Sequence, residues 1–327
     1  MGSDNKYTNR KITLILFTAL LVTCTMNSCS AANSINTSLS DLGGVYSSRF
    51  SDLDLEDEIS GRLSEDMEED DESSGESRGQ GDEASVSVGV PSNKVLRWGI
   101  SRRQENKTPA ADPGAPELLR KYDGIWIGDT GRSVIYLTFD EGYENGYTPA
   151  ILDTLAENDV KAVFFITGPY LKEHQDLVRR MVEEGHVVGN HTIHHPSLPE
   201  LSDSQLEEEV LGLDRAFKEK FGESMQFLRP PKGEYSERTL ALTQKLGYCN
   251  LFWSFAYDDW YRDRSRGSRY AYDIVMRNLH NGAVLLLHAV SKDNAQALDS
   301  IIKGAREKGY TIGDPQELLQ PLKAGDE

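Results

Sequence analysis

The sequence predicts an α/β fold with parallel strands, and two observations favour this class. Short apolar runs alternate about seven times with amphipathic segments of helical length between Leu96 and Glu327. Strands that alternate with helices usually pair in parallel through crossover helices. This region also has a length suited to a single α/β barrel, although periodicity alone does not decide whether the sheet closes.

Each predicted strand is a short apolar run bounded by turn residues. In chain order the strands are Val134–Asp140, Ala162–Thr167, His186–Asn190, Gln226–Arg229, Leu251–Ala256, Ala283–His288 and Tyr310–Gly313. The helices between them are Thr148–Glu157, Leu171–Glu184, Ser202–Phe221, Ser236–Leu246, Ala271–Leu279 and Asn294–Lys308. Serines that can cap a helix begin two of these segments, and a glycine follows four of them.

Residues 1–32 have the layout of an export leader. Three basic residues precede the uncharged, mostly apolar run Ile12–Thr23, and small residues follow up to Ala32. This predicts a signal peptide cleaved after Ala32 or, from a loose lipoprotein box, a leader with lipidated Cys29. An uncleaved anchor is disfavoured because a bilayer span needs roughly 20 apolar residues. In each case we expect the protein outside the cytoplasm, either secreted or attached to the membrane through its leader or a lipidated Cys29.

Residues 33–93 are predicted to form a disordered acidic spacer. Within them, Asp52–Glu83 carries 15 acidic and two basic residues, a net charge of −13 out of −18 for the chain. Such a segment cannot bury enough apolar surface to offset the entropy lost on ordering, and an acidic docking tail is the alternative. The lack of a basic surface signature excludes a general nucleic-acid binder, and three cysteines exclude a disulfide scaffold.

Unusual polar residues stand at the ends of five predicted strands. Asp140 closes the first, His191 follows the third, Arg229 closes the fourth, Asp259 follows the fifth and His288 closes the sixth. The carboxyl ends of parallel strands form the catalytic face of α/β folds. The sequence therefore predicts that these five side chains share one site.

Three local patterns indicate the chemistry of that site. His191 and His195 would point the same way on a helical turn and could share a metal ion, although such a pair alone often has another role. Asp140 and Glu141 supply a general base and a neighbouring ligand, or else a polar turn with a capping aspartate. Arg229 precedes two prolines, which hold it extended for an ion pair with a carboxylate.

Five motifs, taken in order, resemble those of the polysaccharide deacetylase (NodB-homology, carbohydrate esterase) family. They are Thr138-Phe-Asp-Glu-Gly142, His191-Thr-x-x-His-Pro196, Arg229-Pro-Pro-x-Gly233, Asp259-Trp260 and Leu286-x-His288. Phe139–Tyr147 and Leu287–Ala295 are similar to the delta-lactam-biosynthetic de-N-acetylase branch, which acts on spore-cortex peptidoglycan. The resemblance implies an irregular, incomplete TIM-like (β/α)7 barrel as the catalytic domain, residues 94–327.

The resemblance also implies a role for each matching residue. Asp140 corresponds to the catalytic base, Arg229 to the arginine that orients it, and His288 to the acid paired with Asp259. The implied ligands of a divalent metal ion, zinc or a similar transition metal, are His191, His195 and Glu141, although the family has aspartate at the last position. The residues expected to contact substrate are Tyr143, Trp260 and Leu286.

The activity that this resemblance implies is hydrolytic de-N-acetylation of N-acetylmuramic acid in peptidoglycan glycan strands, which leads to muramic delta-lactam. One alternative is a deacetylase of N-acetylglucosamine, in peptidoglycan or chitin, or of acetylated xylan. Another is a catalytically silent wall-binding domain, suggested by the glutamate at position 141.

Overall fold

The computed structural model describes residues 90–101, 107–261 and 264–319. Its strands are β1 Leu96–Arg97, β2 Ile100–Ser101, β3 Ala110–Ala111, β4 Val134–Glu141, β5 Val163–Ile166, β6 Val187–Asn190, β7 Phe227–Leu228, β8 Glu234–Tyr235, β9 Cys249–Asn250, β10 Ala283–His288 and β11 Thr311–Ile312. Its helices are α1 Ala115–Lys121, α2 Thr148–Glu157, α3 Gly168–Glu173, α4 Gln175–Glu183, α5 Asp203–Phe221, α6 Glu237–Lys245, α7 Ser268–Asn278 and α8 Lys292–Glu307.

The predicted leader (1–32) and all but the last residues of the predicted spacer (33–93) lie outside the described residues. Within the described part of the chain, no helix has the length and apolar character needed to cross a membrane.

Seven strands form one parallel sheet in the order β10-β4-β5-β6-β7-β9, with β11 paired to the start of β4. After β9, Phe255 makes a single parallel bridge to Leu285 of β10, so the two ends of the sheet meet at one point. A second isolated parallel bridge, directly after β9, joins Ile125 to Leu251. The predicted incomplete (β/α)7 barrel is therefore confirmed.

Two predicted elements differ from the observed ones by more than the residues at their ends. The strand expected at Leu251–Ala256 is replaced by β9, which ends at Asn250, because the following residues cross the gap in the barrel and pair only at isolated bridges. The helix expected at Leu171–Glu184 is divided into α3 and α4, since His174 between them has non-helical backbone angles.

The predicted helix signals are present in the structure. Ser202 caps α5 and Ser236 caps α6, each in a reciprocal capping box with the residue three positions later. Gly222 ends α5 with φ 79°, a left-handed conformation that glycine adopts without steric cost.

Successive side chains of a strand face opposite sides of the sheet, so alternate residues belong to two different hydrophobic cores. In β4, Ile135, Leu137 and Phe139 belong to the larger core, which the surrounding helices complete. Val134 and Tyr136 instead belong to a smaller core inside the barrel. Parity therefore decides whether a side chain at the carboxyl end of a strand faces the barrel interior or the helices.

Candidate active site

The inner faces of β4 and β10 bring two of the predicted residues together. Asp140 continues the inward series of Val134 and Tyr136, and His288 continues the inward series of Val284. The two residues are direct register partners on neighbouring parallel strands. Their side chains therefore emerge side by side at the carboxyl edge of the sheet.

Arg229 is fully buried and forms an ion pair with Asp140. Its Nη1 donates to Asp140 Oδ1 at 2.7 Å, while Nε and Nη2 donate to backbone carbonyls at 3.0 and 3.3 Å. The guanidinium also lies 4.1 Å from the ring centroid of Phe165. Burial alone would raise the pKa of Asp140, but the charge and hydrogen bond of Arg229, together with the charge of His288, outweigh burial and hold the pKa below its ordinary value. The Asp140 carboxylate is thus ionised near neutral pH.

One glycine is required for this packing. A Cβ on Gly189 would lie only 2.5 Å from the ring of Phe165. Because that ring covers Arg229, any side chain at position 189 would displace the wall of the buried ion pair.

His191 and His195 lie close together, but in a loop after β6 and not on the helical turn that the spacing suggested. Thr192 and His195 have φ of 67° and 59°, which no α-helix contains. The two imidazoles are nevertheless 4.7 Å apart between centroids. His191 Nδ1 donates to the carbonyl of Arg229 at 2.8 Å, which leaves Nε2 as the acceptor nitrogen, 3.6 Å from Asp140 Oδ2.

Both histidines are held in the neutral form that metal ligation requires. Burial lowers the pKa of His191. Burial, and then the neighbouring His191, lowers the pKa of His195 to about 3. The hydrogen bond from His191 Nδ1 to a backbone carbonyl is the arrangement that orients metal-binding imidazoles in proteins. This pair therefore fits a divalent ion.

Glu141 does not join the histidines in this structure. It stands on the outer, helix-facing side of β4, where its Oε2 accepts a hydrogen bond from Thr148 Oγ1 at 3.5 Å. Its Oε1 has no hydrogen-bond partner in the described residues, and burial, followed by the charges of Glu144 and Asp140, raises its pKa well above the ordinary value. Among the described residues, no group of three or more His, Cys, Asp or Glu side chains is arranged to hold a metal ion. For Glu141 to become a third ligand, its side chain would have to turn to the other face of the strand.

His288 is paired with Asp259 as the sequence predicted. Its Nδ1 lies 2.7 Å from Asp259 Oδ1, and its backbone N–H donates to Oδ2 at 2.9 Å. Burial alone would lower the pKa of His288, but the charge and hydrogen bond of Asp259 outweigh burial and raise it. The Trp260 ring lies 5.5 Å from the imidazole, and Leu286 lies two residues before His288 on the same face of β10.

Two residues that the sequence analysis missed support Asp259. Asn294 Nδ2 donates to Asp259 Oδ2 at 2.5 Å and to the His288 carbonyl at 3.2 Å. The Tyr257 hydroxyl donates to Asn294 Oδ1 and so fixes which end of the amide faces Asp259. In the sequence, Asn294 reads as an ordinary residue of a helix N-terminus, and no spacing links it to Tyr257.

Aromatic side chains flank the site. Tyr143 follows β4 and is 38% exposed, while Trp260 and Tyr261 are 45% and 40% exposed with their ring centroids 5.3 Å apart. Exposed rings of this size mark binding surfaces and suit contact with the faces of sugar rings.

Comparison with known proteins agrees with the fold and the motifs. The family model described as polysaccharide deacetylase matches residues 127–251. The chain is 40% identical over 237 residues to the peptidoglycan-N-acetylmuramic acid deacetylase PdaA of Bacillus subtilis. The aligned region covers 72% of this chain and 90% of that protein.

Solved structures give the same result. Bacillus subtilis PdaA, described as a family 4 carbohydrate esterase, matches with a TM-score of 0.68 and 41% identity, over 70% of this chain and 98% of that one. A CE4 family pseudoenzyme from Bacillus anthracis matches with a TM-score of 0.57 and 28% identity, over 60% and 69% of the two chains. This chain belongs to the polysaccharide deacetylase family, whose enzymes are hydrolases that act on N-acetyl groups of sugars.

Proposed function

We propose that the protein hydrolyses the acetamide of N-acetylmuramic acid in peptidoglycan glycan strands, releasing acetate and leaving a free amine. The observation that carries this proposal is the register pairing of Asp140 with His288, which sets an ionised carboxylate beside an imidazole whose pKa Asp259 raises. The muramic substrate is supported by similarity to a relative named for that activity.

Asp140 is the proposed general base. Its carboxylate stays ionised because Arg229 is buried against it and cannot lose its charge. It removes a proton from the water that attacks the acetamide carbonyl carbon. Arg229 binds Oδ1 of Asp140, and Oδ2 lies 3.6 Å from Nε2 of His191.

His288 is the proposed general acid. An amine is a poor leaving group unless its nitrogen is protonated as the C–N bond breaks. With Nδ1 engaged by Asp259, the proton on Nε2 is the one available to the leaving nitrogen. The overall reaction consumes one water and yields acetate and the sugar amine.

His191 and His195 are the proposed ligands of a divalent ion, zinc or a similar transition metal, and deacetylases of this family are generally metal-dependent. When bound, such an ion polarises the acetamide carbonyl and lowers the pKa of water. The chain's own contribution is to keep both imidazoles neutral and to orient the Nε2 of His191 through its bond to the Arg229 carbonyl.

We further propose that residues 94–327 form the catalytic domain outside the cytoplasm, carried there by the leader in residues 1–32 and linked to it by the acidic segment 33–93. The amine set free on a muramic residue that has lost its stem peptide can attack its own lactyl carboxyl group and close a six-membered lactam. The product would therefore lead to the muramic delta-lactam of spore cortex.

Product analysis on purified glycan strands tests this function. Wild-type protein is expected to release acetate from strands whose muramic residues lack the stem peptide, and mass spectrometry should locate the loss on the muramic sugar. Loss of acetyl groups from N-acetylglucosamine alone, or from acetylated xylan, would support the neighbouring activity instead. Strand binding with no acetate release from any of these substrates would indicate a silent domain.

A further inference from the structure

Lys232 is a positively charged residue beside the candidate site, and the proposed mechanism gives it no role. It lies in the turn Pro231–Gly233, two residues before β8 and three after Arg229. Its side chain is exposed and, among the described residues, forms no hydrogen bond or ion pair. Its positive charge is therefore available to a ligand.

The backbone holds Lys232 in a conformation that a lysine rarely adopts. Its φ and ψ are 59° and 7°, in the left-handed region where glycine or asparagine would be less strained. The turn itself is rigid: Gly233 N–H donates to the Pro230 carbonyl at 3.1 Å, and the Gly233 carbonyl accepts from Trp98 N–H at 2.9 Å. Strained residues held by a rigid frame are often found at binding sites.

Lys232 lies at the same edge of the sheet as the histidine pair, because its turn follows β7 and Arg229 directly, and the Arg229 carbonyl accepts a hydrogen bond from His191 Nδ1 at 2.8 Å. Its charge contributes to the lowered pKa of His195, after burial and the neighbouring His191. It therefore lies within electrostatic range of His195.

The chemistry of the substrate supplies an anion at this position. In N-acetylmuramic acid the acetamide is on C2, and the neighbouring C3 carries an ether-linked lactyl group that ends in a carboxylate once the stem peptide is gone. N-acetylglucosamine has a neutral hydroxyl at C3. An acetamide held between Asp140 and His288 therefore brings a carboxylate to the edge of the site only when the sugar is muramic acid.

We propose that Lys232 binds the lactyl carboxylate of a peptide-free muramic residue and so selects this sugar over N-acetylglucosamine. This inference rests on the proposed function and adds the residue that distinguishes the two sugars. An ammonium suits this task because its three donors adapt to a carboxylate on a flexible substituent.

The test compares Lys232→Gln with Lys232→Arg on two substrates. Glutamine keeps the Cβ and the backbone strain but removes the charge, and arginine restores the charge. Lys218→Gln is the matched control, because Lys218 is exposed in the last turn of α5, and barrel helices end at the opposite side from the carboxyl ends of the strands. Melting temperatures of all variants show that each is folded.

Lys232→Gln is expected to lower kcat/KM on peptide-free muramic strands about fivefold, the upper value for one exposed charge pair. Its kcat/KM on N-acetylglucosamine oligomers should stay within about twofold of wild type, as should Lys218→Gln on both substrates. Lys232→Arg should keep most of the muramic activity. Methyl esterification of the lactyl carboxylate should remove the difference between wild type and Lys232→Gln.

Two results would overturn the inference while leaving the proposed function intact. One is wild-type kcat/KM for Lys232→Gln on muramic strands, and the other is an equal loss on both sugars, which would indicate a general positioning effect. If wild-type protein deacetylates only N-acetylglucosamine, the proposed function and the role of Lys232 both fail.

Discussion

Asp259→Asn should impair general-acid catalysis by His288 while leaving the base Asp140 intact. The aspartate Oδ2 accepts two donors, the backbone N–H of His288 at 2.9 Å and Asn294 Nδ2 at 2.5 Å. An asparagine at position 259 will satisfy both donors only if its carbonyl oxygen occupies that place. Its NH2 group then faces His288 Nδ1, which must become an acceptor.

The expected loss of kcat follows from replacing the Asp259 carboxylate by a neutral amide. His288 loses a charge partner at 2.7 Å, and opposite charges at such distances move a pKa by about 1–3 units, or about 1.4 kcal/mol for each unit. The lowered pKa leaves less of the imidazolium form, and the neutral imidazole with its proton on Nε2 is a very weak acid. We expect kcat on the acetamide to fall by about 10²–10⁴, the usual contribution of a general acid.

The assay is a pH–rate profile for acetate release. In wild type the raised pKa of His288 keeps the acid protonated above the ordinary imidazole range, so the rate should fall only at higher pH. In Asp259→Asn the alkaline limb should move to lower pH. An aryl acetate, whose leaving group needs no proton, should be hydrolysed at close to the wild-type rate.

Asp258→Asn is the matched control, because the side chain of the adjacent Asp258 forms an ion pair with Arg266, whereas that of Asp259 pairs with His288. An Asp259→Asn enzyme with wild-type kcat and an unmoved alkaline limb would refute the assignment of His288 as the acid. An equal loss on the aryl acetate would show instead that the substitution damages the base or the fold.

Four further predictions concern the remaining parts of the protein. Asp140→Asn should reduce kcat at least about 100-fold and lower the melting temperature while the protein stays folded, because the proposed base is lost and the buried Arg229 charge loses its carboxylate partner; activity within tenfold of wild type would place the base elsewhere. Glu141→Asp should leave the affinity for divalent ions within about twofold in a metal titration, since this side chain faces α2, whereas loss of either paired histidine should lower bound metal and rate together. Tyr257→Phe should lower kcat about three- to tenfold by freeing the Asn294 amide, and an unchanged kcat would remove these two residues from the support of the acid. Deletion of Asp52–Glu83 should leave the rate on soluble muropeptides unchanged, and a large loss of turnover would contradict the spacer prediction.

The order of the elements could be predicted because their signals are local. β10 spans Ala283–His288 and α2 spans Thr148–Glu157, both as predicted, since each is a continuous pattern bounded by turn residues. The segment after β9 could not be predicted in the same way. Leu251 and Phe255 are apolar like strand residues, but their partners are Ile125 and Leu285, which are distant in the chain.

The histidine pair shows a different limit of sequence reasoning. A spacing of four residues brings two side chains together on a helix, and that geometry predicted their proximity. The rings do meet, but through two left-handed residues, Thr192 and His195, fixed by hydrogen bonds to Asn190 Oδ1 and to Thr192 Oγ1. These contacts depend on where β6 ends in the sheet, which spacing does not record.

The sequence by itself determined the α/β class, the strand ends at which the polar residues stand, and the five motifs that identify the family. The tertiary structure decided which of those residues share a space. Parity along β4 turns Asp140 inward to Arg229 and Glu141 outward to Thr148, although the two are neighbours in the chain. The physical reason is that successive side chains of a strand face opposite sides of the sheet, and only the curl of the barrel makes one side the active site and the other the helix-packed core.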